Sequence, residues 1–89
     1  MALVLTRDAL KYIEGSGPFD IIFIDPPYDT PLAFKTVELI IKFDKLDTNG
    51  IIICETSAGS ALPVVSPPYI MQREYRYGGV KIARYAREN

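Results

Sequence analysis

Residues 19–30 read Phe-Asp-Ile-Ile-Phe-Ile-Asp-Pro-Pro-Tyr-Asp-Thr. An unbroken apolar run, Ile21, Ile22, Phe23 and Ile24, meets a carboxylate at Asp25, and Pro26, Pro27 and Tyr28 follow at once. The prolines decide the local chemistry. A residue before proline is held extended, so Asp25 and Pro26 are both pinned. Neither proline carries an N–H, so this segment offers acceptors and no donors. The product is a stiff rim with one carboxylate, one proline carbonyl and one aromatic face. Such a rim suits a planar ring bearing an amino group: the amine donates to the Asp25 carboxylate and the Pro26 carbonyl, and the ring stacks on Tyr28. For an isolated Asp-Pro, a strand-ending turn with a half-buried tyrosine is the better account. Four such residues directly after a buried strand favour a site.

The elements around this rim set its place. "ALVL" (2–5) is a short apolar run that fits a buried strand. "RDALKYIE" (7–14) has Ala9, Leu10 and Ile13 at helical spacing, with Thr6 as cap, and "GSGP" (15–18) ends it. Residues 20–24 form the next strand. "TPLAFKTVELIIKF" (30–43) opens with Thr30 as N-cap and Pro31 in the first helical position. Ala33, Val37, Ile40 and Ile41 then fall on one helix face. "DTNG" (47–50) reads as a turn and "IIICE" (51–55) as a further strand. Continuous apolar strands alternating with helices indicate a parallel sheet covered on both faces. In open α/β sheets, ligands sit beyond the carboxyl ends of the strands, which is where Asp25 stands.

Beyond residue 57 the pattern changes. "SAGSALPVVSPP" (57–68) is loop-like, and "YIMQREYRY" (69–77) and "VKIARYA" (80–86) are strand-like runs joined by Gly78-Gly79. A two-residue glycine link suits a primed turn and an antiparallel hairpin. By alternation Arg73, Tyr75 and Tyr77 share one face of the first hairpin strand, and Glu74 and Arg76 the other. One face is free to pack Tyr75 and Tyr77 against a helix.

Composition bounds the rest. The chain has 89 residues, enough for a single domain (1–89) whose folding buries about 60–65% of its unfolded surface. Its one cysteine, Cys54, cannot form an internal disulfide, and without histidine no Cys/His metal set exists, so no metal is expected. A reducing, cytoplasmic setting follows, with neither a membrane span nor a signal peptide expected. Residues 1–72 hold five Lys/Arg against nine Asp/Glu, a net of −4; residues 73–89 hold five against two, a net of +3. A basic tail favours an anionic partner, although a solvated hairpin explains the charge as well.

Asp-Pro-Pro-Tyr after a buried strand resembles the catalytic motif of S-adenosylmethionine-dependent methyltransferases that act on exocyclic amines of nucleobases. With "LTRDALKYIE", "IIICETS" and "REYRYGGVKIARY" in their order and spacing, the whole chain resembles the carboxyl-terminal half of the bacterial 16S ribosomal-RNA guanine-N2 methyltransferases. The resemblance implies an α/β fold, a partial Rossmann-like class I methyltransferase sheet of parallel strands with crossover helices, closed by a C-terminal antiparallel hairpin. The family sheet has strand order 3-2-1-4-5-7-6, of which this chain would supply strands 3 to 7. It also implies S-adenosyl-L-methionine as cofactor and 16S rRNA or the small ribosomal subunit as partner. Glycines stand only at 15, 17, 50, 59, 78 and 79, and none forms a Gly-x-Gly-x-x-Gly loop after a strand. The resemblance therefore implies a half-domain without the glycine-rich cofactor loop, expected to be inactive alone.

The resemblance assigns roles. Asp25, Pro26, Pro27 and Tyr28 are the catalytic set. Asp8, Ala9 and Asp25 are on the cofactor side; Asp8 also reads as an acid in a helix first turn, favoured by the dipole. Tyr28, Glu55, Ser57, Arg73 and Arg76 are on the substrate side; Glu55 and Ser57 read equally as an ordinary strand end. Arg73, Arg76, Lys81 and Arg84, with Tyr75, Tyr77 and Tyr85 between them, form the basic and aromatic set that can hold RNA phosphates and bases. Two other functions fit the same residues: an adenine-N6 nucleic-acid methyltransferase, and a non-catalytic remnant or RNA-binding module. With strands 1 and 2 missing, residues 20–24 become an exposed edge. Either "ALVL" slides in beside them, or two chains form a homodimer or strand swap there.

Overall fold

The computed structural model describes residues 2–5, 17–25 and 32–88. Its elements are β1 (Ala2–Leu5), β2 (Phe19–Ile24), α1 (Leu32–Lys42), β3 (Leu46–Ser57), β4 (Tyr69–Tyr77) and β5 (Val80–Arg87). The helix expected at 7–14, and the cap at Thr30 with Pro31, lie outside the described residues.

One sheet holds all five strands in the order β1-β2-β3-β5-β4. β1 runs parallel to β2 with Ala2 opposite Ile21 and Leu5 opposite Ile24. β2 runs parallel to β3, and β5 antiparallel to both β3 and β4. This is the order the family resemblance implies once strands 1 and 2 are left out. Of the two outcomes expected for residues 20–24 it shows the first: "ALVL", as β1, pairs along β2, so the alternative, a homodimer or strand swap there, has no open edge to use.

Alternation sorts the sheet into two faces. Ile22 and Ile24 of β2, Ile52 and Cys54 of β3, and Ala83 and Tyr85 of β5 are buried with Ala33, Val37 and Ile40 of α1 in one core. Leu62 and Val65, from the segment between β3 and β4, pack against the same core. The opposite face is open: Ile21 is 45% exposed and Phe23 38%, and their register partners Ile51 and Ile53 are half-buried. The apolar run of β2 led to the expectation of a sheet covered on both sides. Only one side is covered among the described residues, because α1 and the 58–68 segment both lie over it.

Two polar ties hold the helix to the hairpin. α1 ends with Lys45 N–H donating to the Ile40 carbonyl at 2.9 Å and Asp44 N–H to that of Ile41 at 3.1 Å. Asp44 takes the left-handed position this ending requires, with φ 52°, where glycine is the usual residue. Its carboxylate accounts for the exception: it accepts from the Tyr69 hydroxyl, and from Arg87 Nη2 at 3.1 Å.

The "DTNG" turn falls inside β3. Phe19 pairs with Leu46, but Ile21 pairs with Ile51, so residues 47–50 bulge out of register while the strand continues. Asn49 sits at φ 64°, a conformation asparagine tolerates. A Cβ on Gly50 would lie 2.8 Å from the Asp47 carbonyl oxygen and 2.8 Å from Leu46 Cγ. We predict that Gly50→Ala costs about 1–3 kcal/mol, the usual range for overpacking. Gly59, which has no atom within 4 Å of a Cβ position, should accept alanine with little effect. Equal denaturation midpoints for the two variants would refute this account of the bulge.

Candidate functional site

The carboxyl ends of the parallel strands and the hairpin turn meet at one end of the sheet. Ile24 pairs with Cys54, so Asp25, one residue on and exposed, comes level with Glu55. β3 continues to Ser57, opposite Val80, and the Ala58 N–H donates to the Gly79 carbonyl at 2.9 Å. Ser57 Oγ lies 2.6 Å from Ser60 Oγ. Gly78 has φ 55°, the positive value a primed turn needs at its first central residue. Asp25, Glu55, Ser57 and the Gly78-Gly79 turn therefore share one end. Pro26, Pro27, Tyr28, Asp8 and Ala9 lie outside the described residues.

The hairpin divides the predicted RNA-binding residues. Met71 pairs with Tyr85 and Arg73 with Arg84, so Gln72 is an extra residue in β4. A bulge of this kind reverses which side chains face inward. Tyr69, before it, is 4% exposed; Tyr75 and Tyr77, after it, are 40% and 66% exposed. The tyrosines thus do not pack against a described helix, as one reading of the alternation allowed. Arg73 lies with them on the open face, where its Nη1 donates to Tyr75 Oη at 2.8 Å and its guanidinium stands 5.5 Å from that ring's centroid. Arg76 lies on the other face, with Nη2 3.3 Å from Glu74 Oε1.

Lys81 also turns away from the open face. It is only 6% exposed, its Nζ donates to the Ser60 carbonyl, and Glu74 Oε1 is 3.7 Å away. A cleft of about 390 Å³ runs beside it, lined by Leu62, Val65, Met71 and Arg76 among others. Sequence reading placed Lys81 among the basic, RNA-facing residues; only the register shows it inward, opposite buried Thr56. Tyr85 is fully buried and donates to the Pro63 carbonyl at 3.0 Å, so it too leaves the RNA-facing set. Burial pushes the Cys54 thiol up to about 12, with Lys81 acting in the opposite direction, which disfavours the thiolate a nucleophile needs.

Comparison with known proteins completes this geometry. Residues 3–86 match the family described as Conserved hypothetical protein 95. The chain belongs to this family. It is 30% identical, over 98% of its length, to the ribosomal RNA small subunit methyltransferase D of Escherichia coli, and 32% identical to that of Buchnera aphidicola over 97%. It spans 44% and 45% of those two relatives, a little under half of each. Among solved structures, a Haemophilus influenzae protein described as a methylase superposes with TM-score 0.72 at 28% identity, covering 92% of this chain and 50% of its own. An Escherichia coli protein described as a methyltransferase gives 0.67 at 30% identity, covering 81% and 40%. The sheet is a partial Rossmann-like methyltransferase sheet. No described helix is long and apolar enough to cross a membrane.

The buried acids predict alkaline behaviour. Burial raises Cys54, and burial, with Asp44 assisting at Tyr69, raises the two tyrosines Tyr69 and Tyr85 above their ordinary range. Each group therefore holds its proton more tightly folded than unfolded. Their stabilisation is complete below the unfolded values, 9.0 for the thiol and 10.0 for the phenols, and is lost as pH rises above them. The urea midpoint should be flat from about pH 7 to 8 and fall above about pH 9, and Cys54→Ala should flatten the first part of the fall. An upward slope above pH 9 would contradict these assignments.

Proposed function

We propose that this chain is the motif-bearing half of an S-adenosylmethionine-dependent methyltransferase that modifies the exocyclic N2 amine of a guanine in 16S ribosomal RNA. The observation that carries the reading is Asp25, exposed at the carboxyl end of a central parallel strand and followed in sequence by Pro-Pro-Tyr. The names of the two curated relatives, ribosomal RNA small subunit methyltransferases, support the substrate class.

The base amine is a weak nucleophile because its lone pair is delocalised into the ring. Acceptors at Asp25 and the Pro26 carbonyl localise that pair and aim it. Most of the gain is positioning, and well-oriented groups gain ~7–11 kcal/mol. Tyr28 holds the base by stacking, worth about 1–3 kcal/mol. Glu55 and Ser57, at the same end of the sheet, border the substrate.

The described residues do not make a cofactor cradle. β1 pairs directly with β2, and no glycine-rich loop follows either strand. The part of the longer relatives that these 89 residues do not span is the source of that cradle in this reading. It also has a face to cover, the open one carrying Ile21 and Phe23. A second reading, an RNA-binding module without transfer activity, draws support from Tyr75 and Tyr77, exposed beside Arg73.

Calorimetric titration of the 89-residue chain with S-adenosylmethionine should give no micromolar binding; such binding would mean that the chain builds a cradle by itself. Methyl transfer to small-subunit RNA should appear when the missing half is supplied, and its failure to appear favours the module reading. In that reconstituted enzyme Asp25→Ala should lower kcat by at least about 100-fold with little change in cofactor affinity. Tyr28→Phe should be mild and Tyr28→Ala severe; equal rates for the two would remove stacking from the mechanism.

A further inference from the structure

Arg73 and Arg84 are direct partners across the β4–β5 pair, and both are exposed. Like charges placed opposite each other in an antiparallel pair cost stability. No described carboxylate forms an ion pair with either one: Glu74 serves Arg76 and Lys81 on the other face, and Asp44 serves Arg87. Glu55 shares the open face, two residues along β3 from Ile53, the residue that pairs with Arg84. Arg73 is oriented by a tyrosine, through the 2.8 Å hydrogen bond to Tyr75 Oη and the ring beneath its guanidinium. Two arginines on directly paired positions of one exposed face, with exposed aromatic rings on that face, suit an anion attached to planar groups.

We propose that Arg73 and Arg84 form a clamp for one backbone phosphate of RNA, with Tyr75 and Tyr77 offering faces to the adjacent bases. This rests on the reading of the chain as part of an RNA methyltransferase and deepens it. Of the four basic hairpin residues first grouped together, it keeps Arg73 and Arg84 on the RNA side and takes Arg76 and Lys81 away from it. The extra residue Gln72 is what makes the clamp: without that bulge Arg73, Tyr75 and Tyr77 would turn to the core face, and Glu74 and Arg76 to the open one.

The test is fluorescence anisotropy of the 89-residue chain with a labelled, mixed-sequence 12-nucleotide single-stranded RNA, at several salt concentrations and without cofactor. Each phosphate contact contributes about 0.7 to the slope of log affinity against log salt on single strands. Arg73→Gln and Arg84→Gln should each weaken binding and reduce the slope, whereas Arg76→Gln should leave the slope unchanged. The urea midpoints of Arg73→Gln and Arg84→Gln should stay level or rise, because a like-charge contact is relieved. Lower midpoints with an unchanged slope would assign both arginines to structure and overturn the clamp. So would RNA binding that Arg76→Gln weakens as much as Arg73→Gln, or the absence of salt-dependent binding by the unsubstituted chain. Binding is read without methyl transfer, so loss of the clamp and loss of the enzymatic reading are separate results.

Discussion

β3 is the strand on which the arrangement depends. It pairs parallel with β2 on one side and antiparallel with β5 on the other. The parallel pairing carries the end of β2, and so Asp25, level with Glu55. The antiparallel pairing returns the chain so that the Gly78-Gly79 turn lies beside the end of β3. Strand direction alone thus gathers an acid, a strand end and a turn at one end of the sheet. A parallel β5 would place the hairpin turn at the far end, away from Asp25.

The same register divides the molecule into a packed face and an open one. Ile22, Ile24, Ile52 and Cys54 point into the core with α1, while Ile21, Phe23, Ile51 and Ile53 point the other way. Burying an aliphatic or phenyl side chain fully is worth about 1.5–3 kcal/mol, so each half-exposed residue on the open side leaves part of that gain unrealised. Parallel strands in complete α/β domains are buried on both faces. The chain spans a little under half the length of its curated relatives, and among the described residues one face of its sheet is bare, which supports the proposed reading of it as part of a larger domain.

Much of this was legible in the residues. The apolar runs at 2–5, 20–24 and 51–55, and the Gly-Gly link at 78–79, each coincide with a strand or a turn to within a few residues. The face of α1 was readable from Ala33, Val37 and Ile40 because helical period and burial agree there. Three features were not. The Asp47–Gly50 segment has the composition of a turn, and only the pairing of Leu46 with Phe19 shows the strand beginning before it. Gln72 carries no glycine or proline to mark a bulge, so the outward turn of Tyr75 and Tyr77 had no local sign. The bare face was hidden because Ile-Ile-Phe-Ile is equally apolar on both sides, and periodicity cannot tell which side will find a partner.

On the proposed reading of this chain as part of a larger sheet, the ladder between β1 and β2 sets the terms on which that sheet is completed. In the strand order that the family resemblance implies two strands separate these two, whereas here they pair directly over four residues, Ala2–Leu5 against Ile21–Ile24. Insertion of the two strands means parting that ladder first. The exchange is nearly even in hydrogen bonds, since every backbone group released finds a new strand beside it. Little net cost then opposes it, because the net worth of a backbone hydrogen bond is only about 0.5–1.5 kcal/mol even when it is lost to water. The gain comes from the opposite face, where apolar surface on Ile21 and Phe23 leaves water. On that reading, a short β1 beside an apolar face left bare by the described residues makes completion of the sheet favourable.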